Sequence, residues 1–288
     1  VGPEGPEGER RSTVTALRRG AAPDGSLADD ALDRLDECLA DYARRVAAFA
    51  PERVVVTGTS AVRDAPGRDR DRVAAVVARR LGAPLTVLEG AQEAACAFAG
   101  ARLGAPGAGE ILVVDIGGAS TELVRGDRAP GPRVSLQLGA VRQAERHLHD
   151  DPPSAGQVAA LREEARAMLA GALAEIGGDA PLVGVAGTIT SLAAIELGGY
   201  DRDAVHGHAL TATTVERIAA DLCAMTLERR RRVPGLEPAR APVMPAGALI
   251  AAAVLEVSGR AALRVSERDL LDGVALAARD PSSGLFRS

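Results

Sequence analysis

The sequence predicts an α/β protein, because short apolar runs typical of buried strands alternate with longer amphipathic helical patterns. Residues 111–114 form a run of branched apolar residues, and a glycine-containing turn leads from them into a second apolar run at 121–124, which predicts a buried hairpin. Residues 27–49 carry leucines on one stripe and predict a long amphipathic helix. At 288 residues, with 47% hydrophobic and 25% charged residues, the chain is long enough for two domains.

The other elements are predicted from the same periodicities, in chain order. Further strands are predicted at residues 12–17, 53–57, 85–88, 134–138 and 181–185. Further helices are predicted at residues 69–81, 91–101, from about 140, and at 155–176, and helices dominate after 185. The Gly/Ala/Pro-rich stretch 103–109 predicts a boundary between a first domain, 1–108, and a second domain, 109–288, whose last helix is expected to pack back on the first.

The composition excludes several classes of partner. All 34 basic residues are Arg, so a lysine-bearing phosphate loop is excluded and Arg is the main cation available for phosphate. A net charge of −5 gives no general attraction for nucleic acid, and no apolar run is long enough to span a membrane. The cysteines Cys38, Cys96 and Cys223 lack metal-ligand spacing and fit a reducing compartment, so a cytoplasmic location is expected.

Two segments of the chain repeat one pattern. Residues 54–60 and 183–189 each contain a short apolar run that predicts a strand. In both, glycine and threonine follow this run, and a helix is predicted to begin after them. In the second copy the acid Asp115 precedes this segment; at the same spacing, the matching acid of the first copy would fall upstream of Val1. The chain is therefore expected to begin just after a hairpin of its first lobe.

The predicted hairpin at 111–124 suggests phosphate chemistry. Its turn contains two glycines and leads into a serine and a threonine, so several backbone amides and two hydroxyls can converge on one anion. Asp115 and Glu122 flank the turn and are hard oxygen donors suited to a divalent cation. The alternative is an ordinary hairpin with a polar turn.

Six motifs occur in an order that resembles a known family. They are TSAVRDA at 59–65, EGAQEA at 89–94, DIGGASTE at 115–122, SLQLGAVR at 135–142, GVAGT at 184–188 and VSERDLLDG at 265–273. The chain resembles the exopolyphosphatase/guanosine pentaphosphate phosphohydrolase family of the actin-like and sugar-kinase-like ATPase superfamily. The resemblance implies two ribonuclease-H-like lobes of the actin/sugar-kinase/Hsp70 type, with the first lobe truncated at its N-terminus.

The resemblance also implies a role for each site residue. Glu93 matches the general base, Arg63 matches a catalytic arginine that grips phosphate, and Asp115 and Glu122 match the acids that hold Mg²⁺ or Mn²⁺. The phosphate-binding residues it implies are Ser60, Gly117, Gly118, Ser120, Thr121, Gly187 and Thr188. The alternatives are a solvated helix acid for Glu93 and a surface ion pair for Arg63.

The implied reaction is hydrolysis of the terminal phosphoanhydride bonds of inorganic polyphosphate. One alternative is the 5′-phosphohydrolysis of guanosine pentaphosphate. Another is a catalytically impaired phosphate- or nucleotide-binding scaffold, which is favoured by the missing hairpin, by Ala119 in place of a third glycine, and by Pro242 and Pro245 in a late motif. A homodimer is one expectation, because an incomplete first lobe leaves a sheet edge uncovered.

Overall fold

The computed structural model describes residues 10–22, 24–105 and 109–280. By their contacts, these residues form a smaller unit, 10–90 with 277–280, and a larger unit, 91–276. This division falls ahead of the boundary expected at 108/109, which stays a prediction for the lobes; residues 106–108 lie outside the described residues.

The smaller unit packs helices beside a short parallel strand pair. Its elements are α1 (Asp29–Phe49), β1 (Val56–Gly58), α2 (Ser60–Arg63), α3 (Gly67–Leu81) and β2 (Leu85–Val87). β1 and β2 pair in parallel, with Val56 opposite Leu85. The apolar stripe of α1 packs on α3, as its periodicity predicts.

The prediction of a strand at residues 12–17 is wrong. This segment forms no strand, and its carbonyl oxygens bind a side chain instead of a neighbouring strand. The Nε of Arg34 donates to the carbonyl of Thr15 at 2.9 Å, and its Nη2 donates to the carbonyl of Ala16 at 3.1 Å. These bonds satisfy backbone acceptors that a sheet would otherwise use.

The larger unit is built around one mixed sheet. Its elements are α4 (Gly90–Gly104), β3 (Ile111–Ile116), β4 (Thr121–Gly126), β5 (Pro130–Leu136), α5 (Ala140–His147), α6 (Ala155–Ile176), β6 (Leu182–Val185), α7 (Ala186–Leu197), α8 (Arg202–Val205), β7 (Ala209–Thr211), α9 (Ala212–Ala224), α10 (Leu227–Arg230), α11 (Met244–Ser258), β8 (Ala262–Val265) and α12 (Leu270–Arg279). The described strands lie in the order β5-β4-β3-β6-β8-β7, and β3, β6 and β8 run parallel.

The core of the larger unit explains why α11 is apolar on all sides. Residues 244–255 of this helix are all buried, and α11 packs on α5, α6, α7 and α9. The apolar runs of β3 and β6 lie at the centre of the sheet and are buried along their whole length, as parallel neighbours with both faces covered require. Among the described helices, none is both long and apolar enough to cross a bilayer.

Candidate active site

Two predicted phosphate loops lie at the same edge of the sheet. β3 and β6 are parallel neighbours, and Asp115 near the end of β3 is opposite Val185 at the end of β6. The β3–β4 turn, residues 117–120, and the start of α7, which contains Gly187 and Thr188, follow directly from these strand ends. Carboxyl ends of parallel strands are where open α/β sheets bind their ligands.

Asp115, near the end of β3, lies within electrostatic range of three other carboxylates. Asp115 and Glu122 face each other across the β3–β4 hairpin, and only 7% and 1% of their surfaces are exposed. Burial raises the pKa of Asp115 well above its usual range, and the neighbouring charges of Glu122, Asp269 and Glu93 raise this pKa further. Glu93, from the motif at 89–94, therefore lies in electrostatic range of Asp115, which forms a pair with Glu122 from its own motif at 115–122.

Glu93 lies in the first turn of α4, where a carboxylate interacts favourably with the positive end of the helix dipole. Only 6% of its surface is exposed, so the alternative of a solvated helix acid does not hold. Glu122 is fixed by Ser135, whose Oγ donates to Glu122 Oε1 at 2.6 Å. Ser135 belongs to the motif at 135–142, for which the sequence predicts no role.

The donor set fits a magnesium or manganese ion only in part. Within the described residues, no group of three or more acidic, histidine or cysteine side chains is arranged to hold a metal. Mg²⁺ is commonly bound by one or two carboxylates together with waters and substrate phosphates, and Asp115 and Glu122 are such a pair. A cation bound between these two facing, buried carboxyl groups would favour their charged forms and neutralise them.

The β3–β4 turn presents its amides in one direction. The carbonyl of Gly117 accepts from Ala140 N at 2.9 Å, and the carbonyl of Gly118 accepts from Val141 N at 2.8 Å. The carbonyl of Ala119 accepts from the Nε of Arg142 at 2.8 Å. Because the C=O and N–H of a trans peptide point in opposite directions, the amides of residues 118–120 point away from α5. Successive amides pointing one way form an anion-binding concavity.

The hydroxyls of this turn have different surroundings. Thr121 is fully buried, and its Oγ1 donates to the carbonyl of Leu138. The Thr121 hydroxyl therefore stabilises the hairpin instead of facing a ligand. Ser120 is buried beside it, with 3% of its surface exposed. The hydrogen bond of the Thr121 hydroxyl therefore disfavours a direct contact between this hydroxyl and phosphate. The Ser120 amide, in contrast, is oriented for a phosphate contact.

The second loop is tightly packed. Ala186, the first residue of α7, has φ of 67°, a left-handed conformation that costs a non-glycine residue about 1–2 kcal/mol. The guanidinium of Arg240 lies against Gly187, where a Cβ would come within 2.1 Å of Nη1. Thr188 is buried against Gly247. Backbone strain of this kind concentrates at functional sites.

Ser60 and Arg63 lie in the smaller unit, on α2. The Nη1 of Arg63 donates to the carbonyl of Leu88 at 2.7 Å, and Ser60 Oγ donates to Asp64 Oδ2 at 3.1 Å. The expected alternative for Arg63 is an ion pair with Asp64 or Asp69. Asp69 accepts instead from Leu27 N at 3.0 Å and from the guanidinium of Arg72 at 3.1 Å.

Two departures from the family pattern are accommodated. Ala119 is buried and its backbone lies outside the left-handed region, so its methyl group requires no strained φ. Pro245 lies in the first turn of α11, where an amide has no helical partner and proline is favoured. Pro242 precedes the helix, and its ring removes a backbone donor outside regular structure.

Asp269 is a site residue that the sequence prediction missed. It lies just before α12 and contributes to the raised pKa of Asp115. Its carbonyl lies against Gly100 of α4, where a Cβ would come within 1.7 Å, so this close contact requires the glycine. The motif at 265–273 was the available signal, but it did not show which of its acids faces β3.

Comparison with known proteins decides the family. The family model described as "Ppx/GppA phosphatase family" matches residues 9–280. The chain belongs to the Ppx/GppA phosphatase family. This confirms the resemblance predicted from the six motifs, and it identifies the chain as a hydrolase of phosphoanhydride bonds.

Several members of the Ppx/GppA family are similar over most of this chain. Exopolyphosphatase 2 of Mycobacterium tuberculosis is 36% identical in an alignment that covers 93% of this chain and 88% of the relative. Guanosine-5′-triphosphate,3′-diphosphate pyrophosphatase of Vibrio atlanticus is 31% identical, over 90% of this chain and 51% of the relative. The crystal structure of the Aquifex aeolicus family member has a TM-score of 0.76 and 30% identity, covering 93% of this chain and 87% of that one. The predicted actin-like α/β fold is confirmed.

Proposed function

We propose that this Ppx/GppA protein hydrolyses the terminal phosphoanhydride bonds of inorganic polyphosphate and releases orthophosphate. The observation that carries the proposal is the buried Glu93 carboxylate beside the facing pair Asp115 and Glu122, at the strand end that also holds the amides of the β3–β4 turn. Hydrolysis needs a base for water, a site for a divalent cation and donors for the phosphoryl oxygens, and these residues are proposed to supply them.

Glu93 is proposed to orient and deprotonate the attacking water. Its place in the first turn of α4 fixes its backbone, and its burial limits the water that competes for the same position. A carboxylate held within hydrogen-bond reach of water accelerates such a step by about 10²–10⁴-fold. The proton that Glu93 takes up leaves with the released orthophosphate or with solvent when the next water binds.

The two loops are proposed to hold the transferred phosphoryl group. The amides of residues 118–120 point together away from α5, and Gly187 and Thr188 lie at the adjacent strand end. Donors that are already oriented stabilise the negative charge that develops on the equatorial oxygens without reorganising. Arg63 and Ser60, both on α2, are proposed to bind phosphate as the resemblance to the family implies.

Asp115 and Glu122 are proposed to hold Mg²⁺ or Mn²⁺ together with substrate oxygens. Such an ion, when bound, supplies Lewis-acid polarisation of the phosphoryl oxygens and neutralises their charge. Ser135 keeps the Glu122 carboxylate in place through its 2.6 Å hydrogen bond.

The guanosine pentaphosphate reaction is the second candidate. A relative named for a guanosine pyrophosphatase is 31% identical, whereas the relative named exopolyphosphatase is 36% identical and matches over 88% of its own length. This difference favours polyphosphate. Two of the grounds for the scaffold alternative weaken, because the backbones of Ala119 and Pro245 are compatible with an intact site. The expected absence of the first hairpin stays a prediction.

The proposal includes a cytoplasmic setting. Cys38, Cys96 and Cys223 are all free thiols, which suits a reducing compartment. Assembly into a homodimer stays a prediction.

The experiment that tests the proposal is Glu93→Gln, assayed for orthophosphate release from polyphosphate and from guanosine pentaphosphate. Glutamine keeps the size of the side chain but cannot take a proton, so turnover should fall about 10²–10⁴-fold with little change in KM. Chelation of divalent cations should abolish release by the wild type, and added Mg²⁺ or Mn²⁺ should restore it.

The matched control is Glu163→Gln, on an exposed face of α6, which should leave turnover unchanged. Full activity of Glu93→Gln would contradict the role of Glu93. A wild type that releases phosphate from neither compound, although it binds them, would favour the scaffold.

A further inference from the structure

The first turn of α5 is bound to the backbone of the β3–β4 turn. Gly139 precedes the helix with an extended backbone, and no side chain caps the helix. The amides of Ala140, Val141 and Arg142 donate instead to the carbonyls of the turn, at 2.9 Å, 2.8 Å and 3.2 Å. The free amides of a helix start, which could bind an anion, are used here to fix the turn.

Arg142 adds a bond that the helix backbone cannot make. Its main-chain amide donates to the carbonyl of Gly118, and its side-chain Nε donates to the carbonyl of Ala119 at 2.8 Å. One residue therefore fixes two consecutive peptide groups. The second of these is the peptide whose N–H belongs to Ser120, so the direction of that amide depends on the Arg142 side chain.

We propose that Arg142 is a positioning residue for the β3–β4 turn, and that it acts through the Nε–H···O=C bond to Ala119 and not through its charge. Its effect on catalysis rests on the proposed function, in which the amides of residues 118–120 hold the phosphoryl group. Rotation of the peptide before Ser120 would turn its donor away from that group, and small misplacements of this kind lower rates about 100-fold.

Three substitutions separate the hydrogen bond from the charge. Arg142→Gln retains an N–H donor on Cδ, at the same distance along the side chain as the arginine Nε, and removes the charge. Arg142→Lys retains the charge but places a methylene where the Nε lies. Arg142→Met extends only as far as the position of the Nε and has neither donor nor charge.

The kinetic test measures kcat and KM of these variants with polyphosphate in the full chain. We expect Arg142→Gln to keep kcat within about 3-fold of the wild type, and Arg142→Met and Arg142→Lys to lose about 10- to 100-fold in kcat. The reverse order, with Arg142→Lys active and Arg142→Gln impaired, would assign the effect to charge and overturn the proposal. Equal losses in all three variants, or none, would also overturn it.

A second readout needs no substrate. Amide hydrogen exchange of residues 140–142 reports the bonds between α5 and the turn, and Arg142→Met should speed it about 5- to 10-fold while Arg142→Gln leaves it near wild type. If the wild type hydrolyses neither compound, the proposed function is wrong and exchange alone decides the role of Arg142. Unchanged amide exchange of residues 140–142 in Arg142→Met would then overturn the positioning role of Arg142.

The control is Arg146→Met, one turn further along α5. The Arg146 side chain is 64% exposed and binds Glu164 at the surface, away from the β3–β4 turn. Its substitution should change neither kcat nor the exchange of residues 140–142.

Discussion

Asp115 shows, at the scale of single residues, how the site works against the stability of the fold. Burial first, and then the charges of Glu122, Asp269 and Glu93, raise its pKa above the value of an unfolded chain. The folded state therefore binds the Asp115 proton more strongly than the unfolded state does. The corresponding stabilisation is complete below the unfolded pKa, about 3.9, and is lost as the pH rises through the folded pKa.

Asp115→Asn should consequently stabilise the metal-free protein at neutral pH. The amide keeps the shape of the side chain and removes the buried charge, so Tm at pH 7 should rise by a few degrees, given about 2–4 °C for each kcal/mol in a chain of this size. The gain should shrink as the pH falls and vanish near pH 4. Thermal unfolding with a chelator present, across this pH range, measures it.

The surface variant Asp221→Asn provides the comparison. Asp221 is 54% exposed and pairs with Arg217 on α9, so its loss should shift Tm little at any pH. A lower Tm for Asp115→Asn at pH 7 would mean that the carboxylate is stabilised in the folded state and would contradict the expected direction.

At the scale of elements, the site depends on how closely α5 approaches the β3–β4 turn. Gly139 makes this approach possible, since a Cβ there would come within 2.4 Å of both the Ala119 carbonyl carbon and the Gly118 oxygen. Its φ of −122° is open to any residue, so the requirement for glycine is one of space and not of backbone conformation.

Gly139→Ala should therefore displace α5 from the turn. We expect a loss of about 1–3 kcal/mol in the free energy of unfolding, as for overpacked sites, and a lower kcat because the turn amides move. Gly171→Ala is the matched control: it lies exposed in α6 with no atom near its added methyl group. It should stabilise the protein by about 0.5–1 kcal/mol without altering kcat. Equal stability of Gly139→Ala and the wild type in denaturant would contradict the steric argument.

The elements that the sequence predicts best are those with strong local signals. The helix predicted at 155–176 matches α6, whose Ser154 and Gln157 form a capping box, and the hairpin around Asp115 matches β3 and β4. The strand at 12–17 is wrong, and β7 and β8 are missed. Strand pairing is a non-local property: β8 is a strand because it pairs with β6 and β7, which a local period does not show.

The site residues, like the secondary-structure elements, can be predicted from the sequence only in part. Glu93, Asp115 and Glu122 could be predicted as site residues from their motifs. Asp269 and Arg142 also stand in motifs, but their contacts with distant segments follow from the packing of the fold and not from the motif. Thr121 illustrates the limit from the other side, because its hydroxyl binds the carbonyl of Leu138 although the motif suggests a phosphate ligand. Residue types in a motif predict chemistry, but the direction of each group follows from packing.

At the scale of the whole molecule, the charged residues are an unusual set for a protein that is proposed to bind a polyanion. The chain has a net charge of −5 and no lysine, so all 34 of its basic residues other than histidine are arginines. Attraction must therefore come from local arginines, oriented amides and a bound cation. Arginine keeps its charge throughout the physiological pH range and binds phosphate oxygens in pairs.

This composition predicts an asymmetric response to chemical modification. Phenylglyoxal, which modifies guanidinium groups, should inactivate the protein, whereas a reagent specific for side-chain amines should leave its activity unchanged because there is no lysine to modify. Polyphosphate at ten times its Kd should slow the inactivation about 10-fold, since only the unbound protein then reacts.

Peptide mapping by mass spectrometry identifies the protected side chains. Arg63 should be modified more slowly when polyphosphate is present, because it is proposed to bind phosphate. Arg232, whose side chain is 74% exposed on the surface, should react equally with and without substrate and so serves as the internal control. Protection of Arg232 together with Arg63 would indicate general charge screening by the polyanion. Inactivation that polyphosphate does not slow would show that the reactive arginines lie outside the substrate site, against the assigned role of Arg63.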